Sequence, residues 1–118
     1  MVKVFVDGAG QSPKRPARFA VVCPALNIVQ VDEHEGLTNN EAEYHAVIAA
    51  LSNAKITSIN ESIDICSDSQ LIINQLNRRW NIKEDHLRKL AEQVWLLCKD
   101  LKVRFFWVSN NMAGKVLG

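Results

Sequence analysis

The chain has 118 residues, 47% of them hydrophobic and 23% charged, with a net charge of +1. That length suits one compact domain, and that composition is ordinary for a globular protein, which excludes a disordered or low-complexity chain. No apolar run approaches the roughly 20 residues of a membrane helix, and Met1 to Asp7 is too short and too soon interrupted by an acid to be a secretory signal, so a single cytoplasmic domain is expected.

The first predicted element is a strand, Val2 to Val6, with Val2, Val4 and Val6 on one face and Lys3 and Phe5 on the other. A loop from Gly8 to Pro16 follows, marked by Gly8, Gly10, Pro13 and Pro16. Arg18 to Cys23 and Ile28 to Val31 read as two further strands, and Pro24 to Asn27 between them is short enough for a hairpin. The period then changes. Tyr44, Val47, Ile48 and Leu51 fall at i, i+3, i+4 and i+7, the apolar stripe of a helix. Thr38 with Glu41 fits a capping box at its start. Ile63 to Cys66 is a short buried strand. Ser69 can cap the next helix, whose apolar face is Ile72, Ile73 and Leu76. Asn81 with Glu84 is expected to cap a longer helix carrying Leu87, Leu90, Val94, Leu97 and Leu101. Val103 to Val108 is the last strand, and Asn111 to Leu117 supplies one or two turns of helix. This order predicts an α/β fold. The first three strands run antiparallel, and strands one, four and five, separated by helices, run parallel.

Cys23, Cys66 and Cys98 are far apart and odd in number, which argues against a disulfide framework or a zinc site and for buried thiols. Charge is unevenly spread. Eight basic residues and four acids lie between Arg78 and Arg104, and Lys14, Arg15 and Arg18 form a smaller basic cluster. Phosphate contacts and a solvated surface both account for these groups.

Three acids stand where chemistry would want them. Asp7 ends the first strand and Asp68 the fourth. As parallel neighbours those strands bring both carboxylates to one carboxyl edge, the place where ligands bind in open α/β sheets. Glu43 lies about a turn into the first helix, within reach of the same point. Converging carboxylates repel each other unless cations hold them, and an all-oxygen donor set suits magnesium or manganese. Each acid alone also has an ordinary explanation. Asp7-Gly8 is a common turn, Asp68-Ser69 a helix start, and Glu43 can pair with Asn40.

Val4-Phe5-Val6-Asp7-Gly8, Leu37-Thr38-Asn39-Asn40-Glu41-Ala42-Glu43-Tyr44 and Cys66-Ser67-Asp68-Ser69-Gln70 together resemble the type 1 ribonuclease H family. The resemblance implies a ribonuclease H-like fold, a five-stranded mixed sheet flanked by helices. It implies Asp7, Glu43 and Asp68 as ligands of two magnesium ions, with manganese a possible substitute. It implies hydrolysis of the RNA strand of an RNA–DNA hybrid, with Gly8, Asn39, Asn40, Ser69 and Gln70 along the substrate groove. Short amides there suit the 2′-hydroxyl that distinguishes RNA from DNA, although Asn-Asn before a helix is also plain cap chemistry.

The sequence departs from the family pattern in several places. The family carries a fourth acid in a stretch resembling Asn-x-x-Ala-Asp-x-Leu-Ala, and Asn110 to Gly118 contains none. Matching the alanines puts Gly114 at that place, matching the leucines puts Lys115 there, and a shifted match puts Asn111 there. Asn111 is the favoured stand-in, as in Asp-Glu-Asp-Asn variants, and its other reading is an N-cap before Met112. The histidine of the preceding loop is also missing, since that loop is only Ser109-Asn110. His34, His45 and His86 match no family motif and read as surface or packing residues. A basic insertion is absent, and Arg78, Arg79 and Lys83 around Trp80 are candidates to replace it. The last helix is short, as in a minimal protein or one lacking a tail. An active nuclease is the expected function, acting by default as a monomer. A module that binds hybrid or double-stranded RNA without cutting is the alternative.

Overall fold

The computed structural model describes residues 1–118. Five strands form one sheet: β1 (Val2–Ala9), β2 (Ala17–Cys23), β3 (Ile28–His34), β4 (Ile63–Ser67) and β5 (Val103–Trp107), in the order β3-β2-β1-β4-β5. β1, β2 and β3 pair antiparallel, while β4 lies parallel to β1 and β5 parallel to β4. This is the mixed sheet that the element order predicts. The helices are α1 (Asn39–Ser52), the single turn α2 (Ala54–Thr57), α3 (Gln70–Leu76), α4 (Asp85–Leu97) and α5 (Met112–Leu117). No helix is long and apolar enough to cross a membrane.

Alternation along β1 sorts its side chains to two different cores. Val2, Val4 and Val6 join the larger core beneath α1 and α4, with Val21, Ile63, Ile65, Val47 and Val94. Phe5 points the other way and packs on Ala20, Val22, Ala113 and Leu117, the small core beneath α5. Arg18 ties α5 down by donating from its guanidinium to the Leu117 carbonyl at 2.8 Å. α1 is more deeply set than its stripe implies. Ala42, Glu43, Tyr44, Ala46, Val47, Ala50 and Leu51 are all buried, because the helix lies between the sheet and α4. The Tyr44 hydroxyl donates to Gln75 on α3 at 2.8 Å, which satisfies a buried polar pair.

Local capping follows the sequence at two helices and departs from it at a third. Thr38 and Glu41 form the reciprocal capping box of α1, and Ser69 accepts from Ile72 N–H at the start of α3. The Asn81–Glu84 cap does not form. Glu84 itself is the N-cap of α4, and its carboxylate turns to His86 at 3.2 Å and leaves the helix N–H groups uncapped by side chain. That helix ends at Leu97, so Leu101 reaches the core from the turn beyond it. β5 stops at Trp107, one residue before Val108. β3 runs past Val31 to His34.

β1 also continues past Asp7, through Gly8 to Ala9, paired with β2 down to Ala9↔Arg18. Its parallel pairing with β4 ends earlier, at Phe5↔Cys66. Asp7 therefore lies in a strand that outlasts its neighbour, at the open carboxyl edge of β4.

β5 is one edge of the sheet. The Lys102 carbonyl and the Val108 N–H face β4, so by alternation the Phe105 carbonyl faces outward. The Asn77 amide at the end of α3 donates to it at 3.0 Å. Arg78 follows with a left-handed φ of 60°, a helix exit usually given to glycine, and lays its guanidinium 3.7 Å over the Trp95 ring. All three cysteines are unpaired, Cys23 and Cys66 buried and Cys98 partly so.

Candidate active site

Asp7, Glu43 and Asp68 come together, each with one carboxylate oxygen within 4.8 Å of the others. Three segments deliver them: the overhanging end of β1, the second turn of α1, and the turn between β4 and α3. Two glycines make the meeting possible. At Gly8 a Cβ would fall into the backbone of Ala42 and Glu43, with the Ala42 carbonyl oxygen only 2.6 Å away. The missing side chain lets α1 settle directly on β1. The Gly8 N–H then donates to the Glu43 carboxylate. At Gly10 a Cβ would lie 2.6 Å from Asn39 N, and the Gly10 N–H donates to Asn39 Oδ1 at 2.7 Å.

The cluster is unbalanced electrostatically. Burial, then the charge of Asp7, pushes the Glu43 carboxyl up to about 9, so at neutral pH and without a cation Glu43 keeps its proton and hydrogen-bonds Asp7. Burial also raises Asp7, with Asp68 adding repulsion and the hydrogen bond from Glu43 opposing it. Asp68 is exposed at the rim. No Lys, Arg or His side chain forms an ion pair with any of the three. Uncompensated oxygen ligands of this kind fit a hard divalent cation.

Asn111 is held by the backbone of its own helix and of β1. Its Oδ1 accepts from Ala113 N–H at 3.0 Å as the N-cap of α5, and its Nδ2 donates to the Val6 carbonyl at 2.8 Å. Both ends of this buried amide bond the backbone, which bears out the N-cap reading of Asn111. The residue that faces Asp7 from α5 is Gly114. A Cβ there would lie 3.3 Å from Asp7 Oδ2. Lys115 is exposed and offers no oxygen.

The other expected groups border the acids unevenly. Asn39 uses its oxygen on Gly10 and leaves its NH2 without a protein partner. Asn40 opens onto a recess of about 320 Å³ shared with Gln75, Asn81 and Lys83. Ser69 is committed to the α3 cap, and Gln70 is exposed beside it. The histidines stand apart. The His34 and His45 rings meet at a tilt of 46° with centroids 5.3 Å apart, and His86 lies between Glu41 and Glu84. The sequence gives no sign of Trp107, whose indole N–H donates to the Asp68 carbonyl at 3.0 Å.

The RNase H family model matches residues 1–115. The chain belongs to the RNase H family. Ribonuclease HI of Halobacterium salinarum is 42% identical over 92 residues, covering 75% of this chain and 46% of that protein. A bifunctional protein of Mycobacterium tuberculosis is 31% identical over 113 residues, covering 91% of this chain and 31% of its own length. The chain thus spans less than half of either relative. The crystal structure of RNase H1 from Halobacterium salinarum superposes with a TM-score of 0.77 at 28% identity, over 91% of this chain and 84% of that one. An RNase H1 crystallised with an RNA/DNA hybrid shares the fold over 100% of both chains, with a TM-score of 0.82 at 20% identity.

Proposed function

We propose that this chain hydrolyses the RNA strand of RNA–DNA hybrids, with Asp7, Glu43 and Asp68 as ligands of two magnesium ions that manganese can replace. The observation that carries the reading is the convergence of three carboxylates within 4.8 Å, with Glu43 driven up to about 9 by burial and repulsion. Such a cluster is costly to maintain unless cations fill it. Bound magnesium would activate a water and stabilise the leaving oxygen of the phosphodiester.

The chain's own residues set up that chemistry. Gly8 orients Glu43 through its N–H, and the β1–α1 contact fixes Asp7 and Glu43 as a unit. Glu43 must give up its proton when a cation arrives, so loading is favoured as pH rises. The free NH2 of Asn39, the Asn40 recess and the exposed Gln70 amide line a path suited to 2′-hydroxyls and minor-groove base edges. Lys83 shares the recess of Asn40, and Arg78 lines the adjoining recess with Asn81 and Lys83, so both extend that path with positive charge for the phosphates, whereas Arg79 lies against β5.

One observation favours the alternative of a hybrid-binding module that cuts poorly. Gly114 faces Asp7 with no side chain, so α5 contributes no carboxylate to the cluster. A single experiment separates the two readings. A labelled hybrid is incubated with the protein and with Asp7→Asn in magnesium, manganese and excess chelator, beside single-stranded RNA and duplex DNA. Metal-dependent cutting confined to the RNA strand of the hybrid, and lost in Asp7→Asn, is the expected result. Hybrid binding without cutting overturns the nuclease in favour of the module.

A further inference from the structure

Two of the three carboxylates are held tightly. Asp7 sits within a strand, in register with Ala20 of β2. Glu43 is only 9% exposed and accepts from Gly8 N–H. Asp68 is different. It is exposed, it lies in the turn between β4 and α3, and its carboxylate accepts no hydrogen bond from the protein. Its position is set by the main chain of that turn.

β5 holds the turn from the side. The Val108 N–H donates to the Ser67 carbonyl at 2.9 Å, and Ser69 N–H closes onto Ser67 Oγ at 3.0 Å. The bond that reaches Asp68 itself comes from a side chain, the Trp107 indole N–H, at 3.0 Å from the Asp68 carbonyl. Trp107 stands opposite Ser67 in the parallel register and is 47% exposed. Filling a core does not explain a tryptophan with half its surface in water. The reach of its ring to a carbonyl that no shorter apolar side chain could donate to does explain it.

We propose that Trp107 is a positioning residue for Asp68, bracing through the indole N–H the turn that presents this carboxylate to a divalent cation. The inference rests on reading the three acids as a metal centre. Without the brace, the turn samples more conformations, and the ordering of Asp68 is taken from the binding energy of the cation.

The test uses Trp107→Phe and a second variant in which 3-benzothienylalanine replaces Trp107, putting sulfur in place of the N–H at nearly constant shape. Manganese affinity is read by calorimetry without nucleic acid, and melting is followed in chelator. Manganese binding should weaken by about three- to tenfold in both variants, the size of one neutral hydrogen bond. The sulfur isostere should melt as the unmodified protein does. Unchanged manganese affinity in the isostere overturns the proposal. That holds whether the substitution then shows only as a raised KM for hybrid, meaning direct contact with nucleic acid, or only as a lower melting temperature. An unmodified protein that binds manganese but cuts no hybrid defeats the proposed hydrolysis, and the calorimetry still decides the role of Trp107. One that binds no manganese overturns both.

Discussion

Gly114 on α5 turns its bare Cα toward Asp7, so that a Cβ added there would stop 3.3 Å from Asp7 Oδ2. The helix that could bring a fourth oxygen ligand to the acids instead brings a gap. Asn111, three residues earlier, caps α5 and holds the Val6 carbonyl.

Gly114→Asp should therefore tighten manganese binding by about tenfold, the scale of one added ligand or outer-sphere partner. It should also lower the melting temperature in chelator, because a fourth acid adds repulsion to the cluster. Calorimetry with and without chelator reads both. Gly114→Ala is the control. Its gain in helix propensity of about 1 kcal/mol is offset by the tight contact, so stability should move by less than about 1 kcal/mol and metal affinity should not rise.

Asn111→Ala should cost about 2 kcal/mol in urea unfolding, from one lost N-cap and one orphaned buried carbonyl. Manganese affinity should fall no more than that loss of order in α5 explains. A selective loss of metal binding at unchanged stability would make Asn111 a ligand.

Gly8→Ala places a methyl group inside the backbone of Ala42 and Glu43, where no rotamer change relieves it. Separating α1 from β1 should cost about 3 kcal/mol. It should also abolish cation binding in whatever fraction stays folded, since Asp7 and Glu43 part. Denaturant titration followed by calorimetry checks both.

The raised Glu43 carboxyl gives the cation-free protein a definite pH dependence. The folded state holds a proton on Glu43 up to about pH 9, while the unfolded chain releases it near the ordinary value of 4.5. Between those values the folded state binds more protons, so stability falls as pH rises. In chelator the protein should melt higher at pH 5.5 than at pH 8. Glu43→Gln should flatten that slope and melt above the unmodified protein at pH 8. Saturating magnesium should also flatten it, because the cation takes the place of the proton.

Much of the fold is legible in the sequence because its signals are local. The Thr38–Glu41 box, the Ser69 cap and the alternation of Val2, Val4 and Val6 each depend on neighbours a few residues away. Failures arise where a local pattern meets a tertiary competitor. Asn81 and Glu84 have capping-box spacing, but Glu84 occupies the cap position itself and turns to His86. Leu101 keeps the helical period after the chain has left the helix, with no glycine or proline to mark the stop. The three acids are legible from strand ends and helix phase. The spent amide of Asn111, the bare face of Gly114 and the Trp107 brace are not, because each depends on which atoms meet across the sheet.

The bond from Asn77 to the Phe105 carbonyl matters beyond the molecule's interior. A sheet edge with free outward carbonyls and exposed aromatics such as Phe106 and Trp107 is a template on which another chain can lay a strand. The Asn77 amide already fills that position, so an incoming strand would have to displace the end of α3. At the opposite edge, β3 carries Asp32 and Glu33, whose charge discourages a second copy from joining there. The sheet is thus guarded at both margins by different means, a fitted amide on one side and like-charge repulsion on the other. Replacing Asn77 with leucine would free the Phe105 carbonyl for an incoming strand.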